Sequence, residues 1–224
     1  MTGSKGMSAV QFSRTMDVQY KTAWVFCHKM REALADDTDT HQLSGEVEID
    51  GAYFGGHIRP ANFKENRKDR RLKRHQTGQR RVVIAMRERL GRTLPFVRKS
   101  EADGVELARG VVCPDATIFA DEATHWDVLG WDFETGRVNH STEYSLGNGV
   151  HTNWVESYFA RLRKMVSGQH HWVSPKYLYQ YAEHAAWLED HRETTIGGLV
   201  KKLATASALA PKSKKFKGYW QRAA

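Results

Sequence analysis

The residues best suited to chemistry in this chain are carboxylates set at the edges of apolar segments. The stretch His151 to Lys164, HTNWVESYFARLRK, sorts into two faces when wound at 3.6 residues per turn. Val155, Phe159, Leu162 and Val166 form an apolar stripe; Asn153, Glu156, Ala160, Arg163 and Lys164 fall beside it. Glu156 therefore stands at the rim of a buried face, with cations further along the helix, a setting that suits a ligand for a hard divalent ion. It suits a helix start equally well, with Asn153 as the cap and Glu156 reaching back in a capping box. Two further acids have comparable settings. Asp50 follows the alternating segment EVEI, and Asp121 closes the apolar run Ala116 to Ala120. Asp50-Gly51 also reads as a hairpin turn, and Asp121 as the N-cap of a helix carrying Trp126, Val128 and Leu129.

Periodicity supplies the elements that must position these acids. Val47 and Ile49 point one way and Glu46, Glu48 and Asp50 the other, the pattern of a half-buried strand. Two strands are expected at Val82–Met86 and Thr93–Val97, and a helix over 100–112. Ala116–Ala120 reads as a buried central strand with acids at its carboxyl end, where open α/β sheets place their ligand crevice. Another strand is expected within Phe133–Ser141, and a Gly-rich loop at 145–149. Ser174-Pro175 opens a final helix with Leu178, Tyr181, Ala182, Ala185, Ala186 and Leu188 on its apolar face. Upstream, residues 8–35 form two helices broken near Met16-Asp17. Polar residues including Lys21 open the second, as in a helix-turn-helix, although an ordinary helical hairpin fits the same pattern. From Lys201 the chain is basic and offers little core-forming material.

Composition narrows the partners. Lys and Arg number 34 against 26 Asp and Glu, a net charge of +8 that favours a polyanion, nucleic acid before membrane surface. Residues 64–81 hold nine Lys and Arg against two acids, so most of the excess lies there. Such a block serves as a solvated loop and as a grip on phosphates. Cys27 and Cys113 form no C-x-x-C pair, which argues against a zinc ribbon or a disulfide framework. His140, His151, His170 and His171 lack the spacing of a helical zinc pair, so a zinc hydrolase is disfavoured. With no apolar signal segment and no long apolar run, the expectation is a cytoplasmic protein with no membrane partner.

Three strands, a helix, a strand ending in acids and further helices resemble an RNase-H-like α/β core, a mixed sheet flanked by helices. The motifs VEIDGAYFGG, IFADEATHW, VNHSTEY, GVHTNWVESYFARLRK and HHWVSPKYLYQY occur in that order. Across residues 8–190 the chain thereby resembles the transposases of the ISXO-like bacterial insertion-sequence family. The resemblance implies a DDE transposase that cuts DNA at insertion-sequence ends and transfers the cut strand into target DNA. Asp50, Asp121 and Glu156 match the three acidic positions, as catalytic residues and metal ligands. Asn153 is the alternative third donor, since branches of the family carry Asn there. The implied cofactor is a pair of Mg²⁺ ions about 3.5–4 Å apart, with Mn²⁺ able to substitute. Arg163 matches a cation that follows the third acid by seven residues, and with Lys164 it would grip a phosphate or the displaced strand. His140 and His151 belong to family motifs, either near the cleft or holding loops. The implied partner is double-stranded DNA, both transposon ends and target, bound by a nucleoid-associated homo-oligomer.

The expected organisation is a partial helix-turn-helix segment over 1–40, an RNase-H-like catalytic domain over 41–198 and a basic tail over 199–224. Related proteins usually begin with a zinc ribbon and a complete helix-turn-helix, so this chain reads as a truncated copy, a late start or a short form. A transposase-derived DNA-binding regulator and an RNase-H-like nuclease without strand transfer are the competing readings. As the principal charge block, Arg70, Arg71, Lys73 and Arg74 are expected to bind phosphates without reading sequence. Replacing all four by Ser should weaken binding to every duplex alike. A plot of log affinity against log salt should flatten by up to about 0.9 for each phosphate no longer neutralised.

Overall fold

In a computed structural model of the chain, the described residues are 1–36, 42–55, 62–69, 72, 75, 78–138, 151–213 and 215–218. The expected Gly-rich loop at 145–149 lies outside them, as do Arg70, Arg71, Lys73, Arg74 and His140.

Two helices come first, α1 (Ala9–Met16) and α2 (Tyr20–Asp36). Ser8 caps α1 by accepting the Gln11 N–H at 3.1 Å. No glycine ends this helix. Asp17 takes the left-handed conformation instead, at φ 49°, and its N–H closes on the Ser13 carbonyl. The helix α2 buries Ala23, Cys27, His28, Arg31 and Leu34, a stripe at helical spacing.

Strand β1 (Glu46–Phe54) is the centre of a five-stranded mixed sheet with β2 (Arg81–Glu88), β3 (Thr93–Arg98), β4 (Thr117–Asp121) and β5 (Glu134–Val138). The order is β3-β2-β1-β4-β5. The first three strands run antiparallel, and β4 and β5 lie parallel to β1. This is the expected RNase-H-like α/β architecture. The Asp50-Gly51 pair is not a turn: β1 runs through it and stays paired with β2 as far as Phe54.

Helices cover both faces. On one side Val47, Ile49, Val82, Ile84 and Ile118 pack against Val105 and Ala108 of α3 (Asp103–Val111), joined by Trp126 and Leu129 of a 3-10 helix over Thr124–Trp131. On the other, Ala52, Val83 and Ala85 meet Val155, Tyr158, Phe159 and Leu162 of α4 (Asn153–Lys164) and Leu178, Ala182 and Ala185 of α5 (Leu178–Asp190). The half-buried reading of β1 is therefore corrected. Val47 and Glu48 are both fully buried although they face opposite sides, because each side has its own helical layer.

The carboxyl end of the chain also departs from expectation. After turns at Pro175–Tyr177, α5 starts at Leu178, and it is not the last helix. A further helix, α6 (Ile196–Leu209), begins at a Thr195 cap and buries Leu199 and Ala206. Beyond it Phe216, 1% exposed, stacks among Trp24, His28 and Tyr177. Small residues dominate α6, so its buried side carries a weak periodic signal; a lone Phe in basic surroundings carries none. No helix among the described residues is long and apolar enough to cross a membrane.

Close approach of α3 to the sheet depends on Gly104, where an added Cβ would lie 2.6 Å from the Trp126 ring and 3.2 Å from Ile84. Gly104→Ala should therefore destabilise by about 1–3 kcal/mol through overpacking, despite alanine's better helix propensity. Urea unfolding followed by tryptophan fluorescence measures this.

Candidate active site

β1 and β4 run parallel, and the last residues paired between them are Ile49 and Ala120. Asp50 and Asp121 follow directly, at the same level on neighbouring strands about 4.8 Å apart. Here β4 ends while β1 continues, which opens the sheet on one side of Asp50. Alternation places Glu48, Asp50 and Ala52 on the β1 face that α4 covers. The Asp50 Oδ1 accepts the Gly51 N–H at 2.7 Å, and the Asp121 Oδ1 accepts the Ala123 N–H at 3.1 Å. That second bond shapes the exit from β4. Asp121 is not a helix N-cap, a position that belongs to Ala123.

Glu156 lies in the first turn of α4, where its Oε1 accepts the Thr152 hydroxyl at 3.3 Å. The anticipated capping box does not form. Thr152 occupies the N-cap position and Asn153 is the exposed first helical residue. The amides of Trp154 and Val155 donate instead to Glu48 Oε2, at 2.8 and 3.0 Å. The cap is a fully buried carboxylate from β1. Its Oε1 takes the Arg89 Nε–H at 3.0 Å, with His151 Nδ1 also at 3.0 Å but not aligned as a hydrogen bond. His151, expected either near the cleft or in a structural role, thus sits beside this cap.

Electrostatics tie the three acids together. Burial raises the Asp50 pKa to about 6; the Gly51 N–H opposes the shift, the charges of Asp121 and Glu156 add to it, and Arg163 opposes it. Arg163 is exposed on the last turn of α4, over the Phe159 ring, with exposed Lys164 beside it. Lys21 is exposed in the first turn of α2, a helix that packs on α5 and α6.

A fourth carboxylate was not anticipated. Glu101, just before α3, occupies the space over Gly51, where a Cβ would run into its carboxyl group. Burial and the charges of Asp50 and Asp121 raise its pKa to about 7. His125 Nε2 lies 3.9 Å from Glu101 Oε1. The signal that points to it is Gly51 itself, since a glycine inside a strand marks a close approach. Among the described residues, no group of three or more His, Cys, Asp and Glu side chains is drawn together tightly enough to hold a metal ion. The carboxylates are near enough to repel and have only oxygen donors, a set that suits a hard divalent cation.

Fold and site together define an RNase-H-like chain with acids grouped where its central parallel strands part. Residues 42–190, more than half of the chain, match the ISXO2-like transposase domain, and the chain belongs to that family. No curated protein and no solved structure matches it.

The raised carboxyl pKa values set a pH dependence of stability. Asp50 and Glu101 hold protons in the folded chain at pH values where the unfolded chain has released them. Stability should therefore fall as pH rises from the ordinary carboxylate range through about 6 to 7. Asp50→Asn and Glu101→Gln should each raise Tm by a few degrees near pH 8, at about 2–4 °C per kcal/mol, with the gain vanishing near pH 4. Calorimetric melts across that range check the sign.

Proposed function

We propose that this chain is a metal-dependent DNA transposase that cleaves strands at insertion-sequence ends and joins them to target DNA. The observation that carries the reading is the grouping of Asp50 and Asp121, on neighbouring parallel strands, with Glu156 close enough to shift Asp50. Three carboxylates held this near one another repel, and divalent cations relieve that repulsion. Asp50, Asp121 and Glu156 are the residues that would hold two Mg²⁺ or Mn²⁺ ions. When bound, such ions supply an activated attacking oxygen and stabilise the leaving oxygen of an in-line phosphoryl displacement.

The chain's own side chains supply the rest. Arg163, exposed at the end of α4, is near enough for its charge to be felt at Asp50, and its guanidinium can grip a phosphate through paired N–H groups. Lys164 adds a second cation at the same helix end. Lys21 and the basic segment at 64–81 would extend the grip along duplex DNA. Glu156 is the third acid in this reading rather than Asn153, because its charge is felt at Asp50 and a carboxylate is the stronger ligand for a hard ion. A nucleoid-associated homo-oligomer is the proposed working form, since an element has two ends to cut and join.

Incubating the chain with duplexes carrying the inverted repeats of its own element and Mg²⁺ tests the reading. Nicked ends and joined products are expected; nicking without joining would favour a nuclease, and binding without nicking a regulator. Asp50→Asn, Asp121→Asn and Glu156→Gln should each lower cleavage by about 10²–10³-fold or more, with DNA binding retained. Asn153→Ala should cleave like wild type; the reverse pattern at Asn153 and Glu156 would reassign the third ligand.

A further inference from the structure

A buried carboxylate two residues before Asp50 carries no part of the chemistry above, yet it governs the helix that bears Glu156. Glu48 is 0% exposed, and its two oxygens are used differently. Oε2 takes the Trp154 and Val155 amides, two of the unpaired donors at the start of α4. Oε1 takes Arg89 Nε, and the same guanidinium donates to the His151 carbonyl at 2.9 Å, just before the helix. A parallel clamp acts from the next β2 position on this face. Arg87 donates to the Trp154 carbonyl at 2.7 Å and pairs with Glu189 of α5 at 3.1 Å. Glu189 in turn holds Arg161 of α4 at 2.6 Å. The backbone at residues 151–155 is thus pinned to the sheet from both its donors and its acceptors, and Glu156 is the next residue.

We propose that Glu48 is a positioning residue for the metal-holding acids: by capping α4 from the strand that carries Asp50, it fixes Glu156 relative to Asp50. The geometry follows from strand periodicity. Residues 48 and 50 share a face of β1, so one carboxylate binds the helix start while the other faces the cleft. A negative charge at a helix N-terminus is favourable, and in a buried site with Arg89 as counter-charge its position is tightly defined. At the N-cap position, Thr152 makes no side-chain capping bond in its place.

This inference rests on the metal-dependent reading, so its test separates the two. Mn²⁺ binding to the full chain is measured by isothermal titration for wild type, Glu48→Gln, Glu156→Gln and the double variant. Hydrogen exchange at the Trp154 and Val155 amides reports the cap itself. Glu48→Gln is expected to weaken Mn²⁺ binding about tenfold, the loss typical when an outer support of a metal ligand is removed. Both amides should exchange faster, and adding the same change to Glu156→Gln should cost no further affinity. Wild-type Mn²⁺ affinity in Glu48→Gln, or equal losses with and without Glu156, overturns the positioning role. If Glu48→Gln does not fold, Glu48→Asp, which keeps the charge at shorter reach, is compared in both backgrounds under the same criteria. A wild-type chain that binds no Mn²⁺ fails the metal reading first and removes this inference with it.

Discussion

The bond between the Glu48 carboxylate and the first amides of α4 is the constraint on which the rest of the structure turns. A helix start buried against a sheet leaves N–H groups that water cannot reach, each costing free energy unless paired. Glu48 meets that need from inside the sheet, with Arg89 balancing its charge. A charge buried this completely is tolerated only when paired and hydrogen-bonded throughout, which fixes where strand, arginine and helix can sit. The orientation of α4 over β1 and β2 follows, and with it the apolar layer of Val155, Phe159 and Leu162.

Order at one end of β1 makes a crowding of like charge tolerable at the next step along it. Asp50, Asp121 and Glu101 lie close to the point where β4 stops, and burial, with the charges of neighbouring acids adding to it, raises the pKa of Asp50 and Glu101. A fold that places such groups together gives up stability locally and recovers it elsewhere. Here the compensation lies in two continuous cores, one on each face of the sheet. The buried ion network around Glu189 further ties α4 to α5 and β2.

The helix α2 and Phe216 join the same body. His28 meets Gln180 at 3.0 Å, Arg31 lies over the Tyr181 ring at 4.2 Å, and Phe216 completes an aromatic group with Trp24 and Tyr177. The helix α2 therefore packs on α5, the helix that also supports α4, and Phe216 lies against both Trp24 and the start of α5.

Much of this was legible in the sequence, for reasons of local geometry. Alternation in EVEI, the apolar run ending at Asp121 and the 3.6-residue stripe after Asn153 specify strands and a helix by period alone, and the structure has them there. Motif order brought Asp50, Asp121 and Glu156 into one expectation. What periodicity cannot report is whether the second face of a strand is covered. Glu48 therefore read as a solvent-facing residue like Glu46, although α4 buries it completely. Glu101 lay outside every motif, and only the hollow above Gly51 brings it beside Asp50. The fate of Asn153, a plausible cap by spacing, was decided by a competitor more than a hundred residues away in the chain. Local sequence determined most of the strands and helices and that Asp121 closes one of them. Tertiary packing alone decided which carboxylates face water, which face one another and which hold the helix, because burial and charge pairing depend on neighbours distant in sequence.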